Sequence, residues 1–277
     1  MHTKRLRVGI TYGNVCDLPE FSSGPHGNPD VLHHAVAEAG YEGLQGGDAE
    51  LCARYGLSLL GSGLVTRPEE AAQLAADWKA KGATVVTCIV GFGFESDREI
   101  DALATALCQA SVDHGVALLL ETHRASISQD AWRTVQLAGR FPELCFNLDL
   151  SHWFTGQEMP YGDFAKRIAF LEPILSRTRF LHGRIGDRCC MQVALDSSAD
   201  QTVSLFRSVW KQAMLGFINS KSPDQDLWFC PELLGTTYSY ARQLRDADGK
   251  LREETDRWRQ AQLLVEIAQK CFSEVAG

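Results

Sequence analysis

Nothing in this 277-residue chain approaches the run of about 18 apolar residues that a membrane-spanning helix needs. After Met1 it passes straight into the strand-like LRVGITYG, without the apolar stretch of a secretory signal, so no signal peptide is expected. Basic residues are scarce. There are 27 Lys and Arg against 35 Asp and Glu, and the resulting charge of −8 is the wrong sign for a protein that neutralises phosphates. The expectation is therefore neither a nucleic-acid nor a membrane partner.

No Cys-x-x-Cys pair occurs. The nine cysteines (Cys16, Cys52, Cys88, Cys108, Cys145, Cys189, Cys190, Cys230 and Cys271) are odd in number and scattered. That speaks against a disulfide framework or a structural zinc site and for a reducing cytoplasm. The adjacent Cys189-Cys190 pair has no base nearby and reads as loop thiols. Gly46-Gly47 and Gly91-Phe92-Gly93 do not make a dinucleotide fingerprint, and no repeat, low-complexity tract or linker is visible. The stretch Asp246-Ala247-Asp248-Gly249-Lys250 reads as a polar turn within a loop.

What the chain does have is an eightfold alternation. Strands are expected near 6–12, 42–47, 57–64, 83–90, 116–122, 144–150, 178–185 and 227–233. Helices are expected near 30–39, 48–55, 68–81, 97–114, 129–140, 162–176, 199–219 and 254–273. Asn28-Pro29 caps one helix start, and Thr66…Glu69, Ser96…Glu99 and Ser198…Gln201 match a capping box. Gly40, Gly56, Gly82 and Gly115 stand where helices should stop. Eight strand–helix units predict an α/β fold, a single (β/α)₈ TIM barrel spanning 1–277. Helix-to-strand turns are short, whereas 13–28, 152–161, 186–198 and 234–253 are long excursions at the opposite end, where a barrel builds its site.

The last four strands each end in a metal-ligand residue at that end: Glu121, Asp149, His182 and Glu232. Alternation turns Ala117, Leu119 and Glu121 to one face, and likewise Cys145, Asn147 and Asp149; Phe180, His182 and Arg184; and Trp228, Cys230 and Glu232. Charges on the lumen face need a partner. One divalent cation held by three carboxylates and an imidazole supplies it. The oxygen-rich set suits Mn²⁺, Mg²⁺ or Co²⁺ better than a structural zinc, with Zn²⁺ also allowed. The plainer alternative is a rim network of salt bridges involving Arg184.

The motifs ETH (121–123), NLDLSHW (147–153), LHGRIG (181–186) and PELL (231–234) resemble the xylose isomerase-like barrels of sugar isomerases and epimerases, which include ketose 3-epimerases and hydroxypyruvate isomerase. The resemblance covers strands five to eight; the first half shares only the βα rhythm. It implies metal binding by Glu121, Asp149, His182 and Glu232, with Glu121 and Glu232 as the catalytic acid–base pair acting through an enediolate. His152 and either Arg184 or Arg188 would contact a small sugar-like substrate. Trp153 would stack on sugar carbons or pack in the loop. Tyr12, Asn14 and His123 are further rim residues. Where the ketose 3-epimerases carry another Glu, six residues after the first, this chain has Ile127. The resemblance also allows a homo-oligomer. A dehydratase of the inosose or dehydroshikimate type is the alternative on the same scaffold. An endonuclease-type hydrolase would need extra histidines, where strands two to four end in glycines. A non-catalytic binding barrel would not need both glutamates.

Overall fold

The computed structural model describes residues 4–195, 201–222 and 226–277. Strands β1 (Arg5–Thr11), β2 (Gly43–Gln45), β3 (Ser58–Val65), β4 (Val85–Val90), β5 (Ala117–Glu121), β6 (Phe146–Leu148), β7 (Thr178–Gly183) and β8 (Asp226–Pro231) close into a parallel barrel in chain order. Closure is made by β8 against β1, in a register that runs from Arg5↔Asp226 to Val8↔Phe229. Around it lie α1 (Tyr12–Val15), α2 (Pro29–Glu38), α3 (Ala49–Arg54), α4 (Pro68–Ala80), α5 (Asp97–His114), α6 (Ala131–Arg140), α7 (Leu150–Gly156), α8 (Phe164–Phe170), α9 (Glu172–Leu175), α10 (Gln201–Asn219) and α11 (Arg257–Ala276).

Local chemistry explains the helix ends. Asn28 accepts a hydrogen bond from Val31 N at 3.1 Å, with Pro29 opening α2. Ser96 and Glu99 make the reciprocal box expected at α5. At α4 the box sits one residue later than expected. Pro68 fixes the first helical position, so Glu70 rather than Glu69 accepts from the backbone N–H groups of Thr66 and Arg67. Gly40, Gly56, Gly82 and Gly115 take positive φ of 84, 70, 90 and 61°, as helix-stopping residues do. The box expected at Ser198 lies outside the described residues.

Three segments differ from expectation. The long loop expected over 152–161 is largely α7, which starts directly off β6. The helix expected over 162–176 is two pieces, α8 and α9, with Pro173 in the first turn of the second. The loop after β8 holds a small hairpin, β9 (Gln243–Arg245) and β10 (Leu251–Glu253), whose tip is the predicted Asp246–Lys250 turn.

Two apolar bodies hold the barrel. Outside it, residues such as Ile100, Leu103, Ala104 and Leu107 of α5 recur at helical spacing and pack on the outward strand faces. Inside, Leu60, Val85, Leu119, Phe180, Trp228 and Cys230 fill the lumen floor. Two glycines make room for them. A Cβ on Gly9 would lie 2.6 Å from Cys230 Sγ, and one on Gly43 would lie 2.9 Å from the Trp228 ring. One two-residue step up each strand, Leu119 gives way to Glu121, Phe180 to His182 and Cys230 to Glu232. The lumen is therefore apolar below and ionisable above.

Arg257, buried at the start of α11, staples the rim. It donates to the carbonyls of Asn14 (3.0 Å), Leu233 (3.3 Å) and Asp17 (2.6 Å) and to the Glu253 carboxylate (2.8 Å). Arg257→Met keeps the stem and removes every donor. We expect a loss of about 3–5 kcal/mol from the orphaned buried partners. By thermal circular dichroism that is a fall in Tm of roughly 10 °C; a change under about 2 °C would show that water replaces the guanidinium.

Candidate metal centre

Glu121 ends β5, Asp149 follows β6 as the N-cap of α7, His182 lies in β7 and Glu232 follows β8. One ligand atom from each lies within 4.8 Å of the other three. His182 Nδ1 is 3.5 Å from Glu121 Oε2 and 3.4 Å from Glu232 Oε2. Asp149 is fully buried and Glu121 is 4 % exposed, so these charges have almost no water to stabilise them.

Supporting side chains pin each carboxylate. Asn147 Nδ2 donates to Glu121 Oε2 at 3.1 Å. The hydroxyl and backbone N–H of Ser151 donate to Asp149 Oδ1 at 2.6 and 3.0 Å. Thr122 accepts from Asp149 N and donates to its carbonyl, both at 2.9 Å, tying the exit of β5 to that of β6. The Arg184 guanidinium bridges two ligands: Nη2 donates to Asp149 Oδ2 and, at 2.8 Å, to Glu232 Oε2. Its Nε reaches Ser151 Oγ at 3.1 Å, and the Tyr240 ring, in the loop after β8, covers its outer face at 4.6 Å.

These neighbours set the charge states. Burial alone would raise Asp149, but Arg184, His152, His182 and the Ser151 hydroxyl together hold it well below the usual carboxylate range. Glu232 goes the other way: burial raises it above an ordinary carboxylate, against the pull of His182 and Arg184. Burial disfavours a charged His182, yet Glu232 and Glu121 overcome that and lift it to about 9. His152 is driven well below its ordinary value, chiefly by burial.

The donor set fits a divalent cation. Three buried carboxylates against one guanidinium leave two negative charges, which a single such ion neutralises once His182 gives up its proton. Three buried polar atoms beside the set have no hydrogen-bond partner among the described residues: Asn147 Oδ1, His152 Nδ1 and Arg184 Nη1. Buried polar groups are rarely left so, and a polar ligand would satisfy them.

Of the residues expected to touch substrate, His152 and Arg184 stand at this cluster, with His152 Nε2 3.5 Å from Asp149 Oδ2. Arg188 does not reach it. It is exposed and stacks on Tyr161 at 4.4 Å, because it lies beyond the end of β7 where strand parity no longer aims it inward. Trp153 is a core residue: it has no exposed surface, and its indole N–H donates to the Ser128 carbonyl at 2.8 Å. Asn14 accepts from Leu233 N at 3.0 Å, joining α1 to the exit of β8, and Tyr12 packs on His33. Ile127 is wholly buried.

His123 stacks on His152 with ring centroids 3.9 Å apart, and Glu121, His123 and His152 also come within ligating distance of one another. A second cation there is disfavoured by His123 itself. Ala125 N–H donates to its Nδ1 at 3.1 Å, so a neutral ring carries its proton on Nε2 and has no second lone pair to offer. Gln45, Asn147, Ser151 and Tyr240 are site residues that were not singled out from the sequence. Of these, only Asn147 left a signal, its parity with Asp149 in β6.

Compared by sequence, the chain matches no family model and no curated protein. Its fold is similar to that of a xylose isomerase-like TIM barrel protein from Mycobacterium smegmatis solved in complex with magnesium: TM-score 0.60, 14% identity, 99% of this chain and 98% of that one covered. A D-tagatose 3-epimerase-like protein gives 0.59 at 12% identity, with 97% and 98% covered. A sugar phosphate isomerase/epimerase from Parabacteroides distasonis gives 0.58 at 13%, with 99% and 96% covered. Identities this low establish the fold alone, and the fold is the xylose isomerase-like TIM barrel.

Proposed function

We propose that this xylose isomerase-like barrel is a divalent-metal-dependent isomerase or epimerase of a small, sugar-like hydroxy-carbonyl compound. The observation that carries the reading is the pair of glutamates, from β5 and β8, that share one buried point with Asp149 and His182. One oxygen of each, Oε2, is turned to that point. The other carries no hydrogen bond among the described residues and is available to a substrate proton.

Bound by Glu121, Asp149, His182 and Glu232, a cation would supply the positive charge against which an enediolate forms. The residues do the rest. One glutamate takes the carbon-bound proton beside the carbonyl, and the other returns a proton from the opposite side, inverting the centre. Return to the neighbouring carbon gives isomerisation instead. Burial raises Glu232 above an ordinary carboxylate, the direction that favours holding a proton. His152 Nδ1 and the Arg184 Nη1–H group, both buried beside the cluster without a partner among the described residues, are the polar atoms left to meet the substrate oxygens. The Zn²⁺, Mn²⁺, Mg²⁺ and Co²⁺ forms are to be compared directly, since the donor set accepts all four.

The test is hydrogen exchange. Incubated in D₂O with a panel of small ketoses, aldoses and hydroxy-keto acids, the metal-loaded protein is expected to introduce deuterium next to the carbonyl of at least one, seen by proton NMR. Chelation should stop the exchange and added cation restore it. A folded, metal-loaded protein that exchanges nothing across the panel would count against the proposal. Appearance of an ultraviolet-absorbing enone would turn it into a dehydratase.

A further inference from the structure

Strands β1 to β4 contribute no residue to the four-ligand cluster, yet one residue of β2 touches its histidine. Gln45, the last residue of β2, is buried and reaches across the lumen to β7. Its amide nitrogen lies 2.8 Å from Thr87 Oγ1 and 3.4 Å from the Gly61 carbonyl oxygen. Its amide oxygen lies 2.9 Å from His182 Nε2.

Chemistry fixes which atom does what. A carbonyl only accepts, so the Gln45 NH₂ must be the group facing Gly61, and the amide oxygen must face the imidazole. An amide oxygen also only accepts, so His182 Nε2 is the nitrogen that carries hydrogen. The lone pair of the neutral ring then falls on Nδ1, the atom that faces Glu121 and Glu232 at 3.5 and 3.4 Å. Asn147 does not decide the tautomer: its Nδ2, which donates to the Glu121 carboxylate, is 3.1 Å from His182 Nδ1 and 3.5 Å from Nε2 and so lies against the ring, which leaves the assignment to Gln45.

We propose that Gln45 is a positioning residue for the metal centre: it fixes the ring orientation and tautomer of His182 so that Nδ1 is presented as the ligand atom, and Thr87 and Gly61 in turn fix Gln45. The inference rests on the metal reading for its purpose but not for its geometry. Imidazole ligands commonly donate their other N–H to a fixed acceptor, and losing that acceptor typically weakens metal affinity by about 10–100-fold. The device differs from a carboxylate partner in being neutral, so it orients the ring without adding a fourth negative charge to a lumen that already holds three carboxylates.

Two measurements test it. Calorimetric titration with Mn²⁺ should show a Kd about 10–100-fold weaker in Gln45→Leu than in the unaltered protein. Thr87→Val, which removes only the tether on Gln45, should show a smaller shift in the same direction. The second readout needs no metal. Long-range proton–nitrogen NMR, recorded at an alkaline pH where the nitrogen shifts themselves show a neutral ring, should find Nε2–H and a bare Nδ1 in the unaltered protein. In Gln45→Leu the two tautomers should mix. Nδ1–H in the unaltered protein would overturn the proposal, as would unchanged Mn²⁺ affinity in both variants. If the unaltered protein binds no divalent cation, the proposed function fails, while the NMR result still decides the role of Gln45. If Gln45→Leu does not fold, Thr87→Val carries both measurements.

Discussion

Glu232→Gln is expected to abolish conversion of substrate, lowering kcat by about 10³-fold, within the range seen when a positioned acid–base group is lost. The amide keeps the size and one neutral oxygen donor, so the site should still take up cation, more weakly. What it cannot do is accept a proton. Because Glu121 would remain, chemistry should not stop altogether: the proton it faces can still be removed and put back on the same side. Glu232→Gln should therefore exchange deuterium into one epimer of the substrate without producing the other, and Glu121→Gln should do the same for the opposite epimer. Proton NMR in D₂O reads both, with metal content checked in each variant. Equal loss of exchange in both epimers for both variants would show that the carboxylates act only as ligands. Full turnover in either would remove it from the chemistry.

That prediction leans on two positions legible before any coordinates. Glu121 and Glu232 each stand two residues beyond a lumen-facing apolar residue, Leu119 and Cys230, and a strand's period of two is the sharpest pattern a sequence offers. The same parity distinguishes Arg184, two residues after His182, from Arg188, which lies outside β7 and turns to solvent. The eight strands were legible for the same reason, and the helix starts because caps depend on near neighbours. Elsewhere the pattern fails for physical causes. In α7 the residues from Leu150 to Phe154 are all buried, so no polar face marks them as helix, and they read as a strand running on into a loop. Read without that helix, Trp153 either stacks on substrate or packs in a loop, whereas one turn of helix carries it into the core. The hairpin of β9 and β10 fails oppositely: its residues are almost all exposed, so nothing alternates. Gln45 has no signature because its importance is a contact between β2 and β7, made only when the barrel closes. A glutamine next to two glycines carries no chemistry of its own.

The same closure makes Arg184 the group whose loss should be felt twice. Its guanidinium is buried between Asp149 and Glu232, the second at 2.8 Å, and these are also proposed cation ligands. Arg184→Met removes the positive charge and keeps most of the volume. Without cation, the buried carboxylates lose their partner, and the cost of stranding such charges is about 3–5 kcal/mol. The metal-free variant should therefore melt roughly 10 °C lower than the unaltered protein. Cation should reverse this. Two positive groups compete for the same carboxylate oxygens, so removing one strengthens the grip on the other. The variant should bind Mn²⁺ more tightly, and the same excess of Mn²⁺ should raise its Tm by more than it raises that of the unaltered protein, because a ligand that binds only the folded form stabilises by an amount that grows with the logarithm of its concentration over Kd. Turnover should nonetheless be lost if, as proposed, Arg184 Nη1 meets the substrate. Arg184→Lys, with a point charge in place of a fork, should recover stability better than activity. Thermal melts with and without Mn²⁺, beside a calorimetric Kd, separate these outcomes. A metal-free Tm unchanged by Arg184→Met would mean that Asp149 and Glu232 are already neutral without it, and the charge balance proposed for this centre would be wrong.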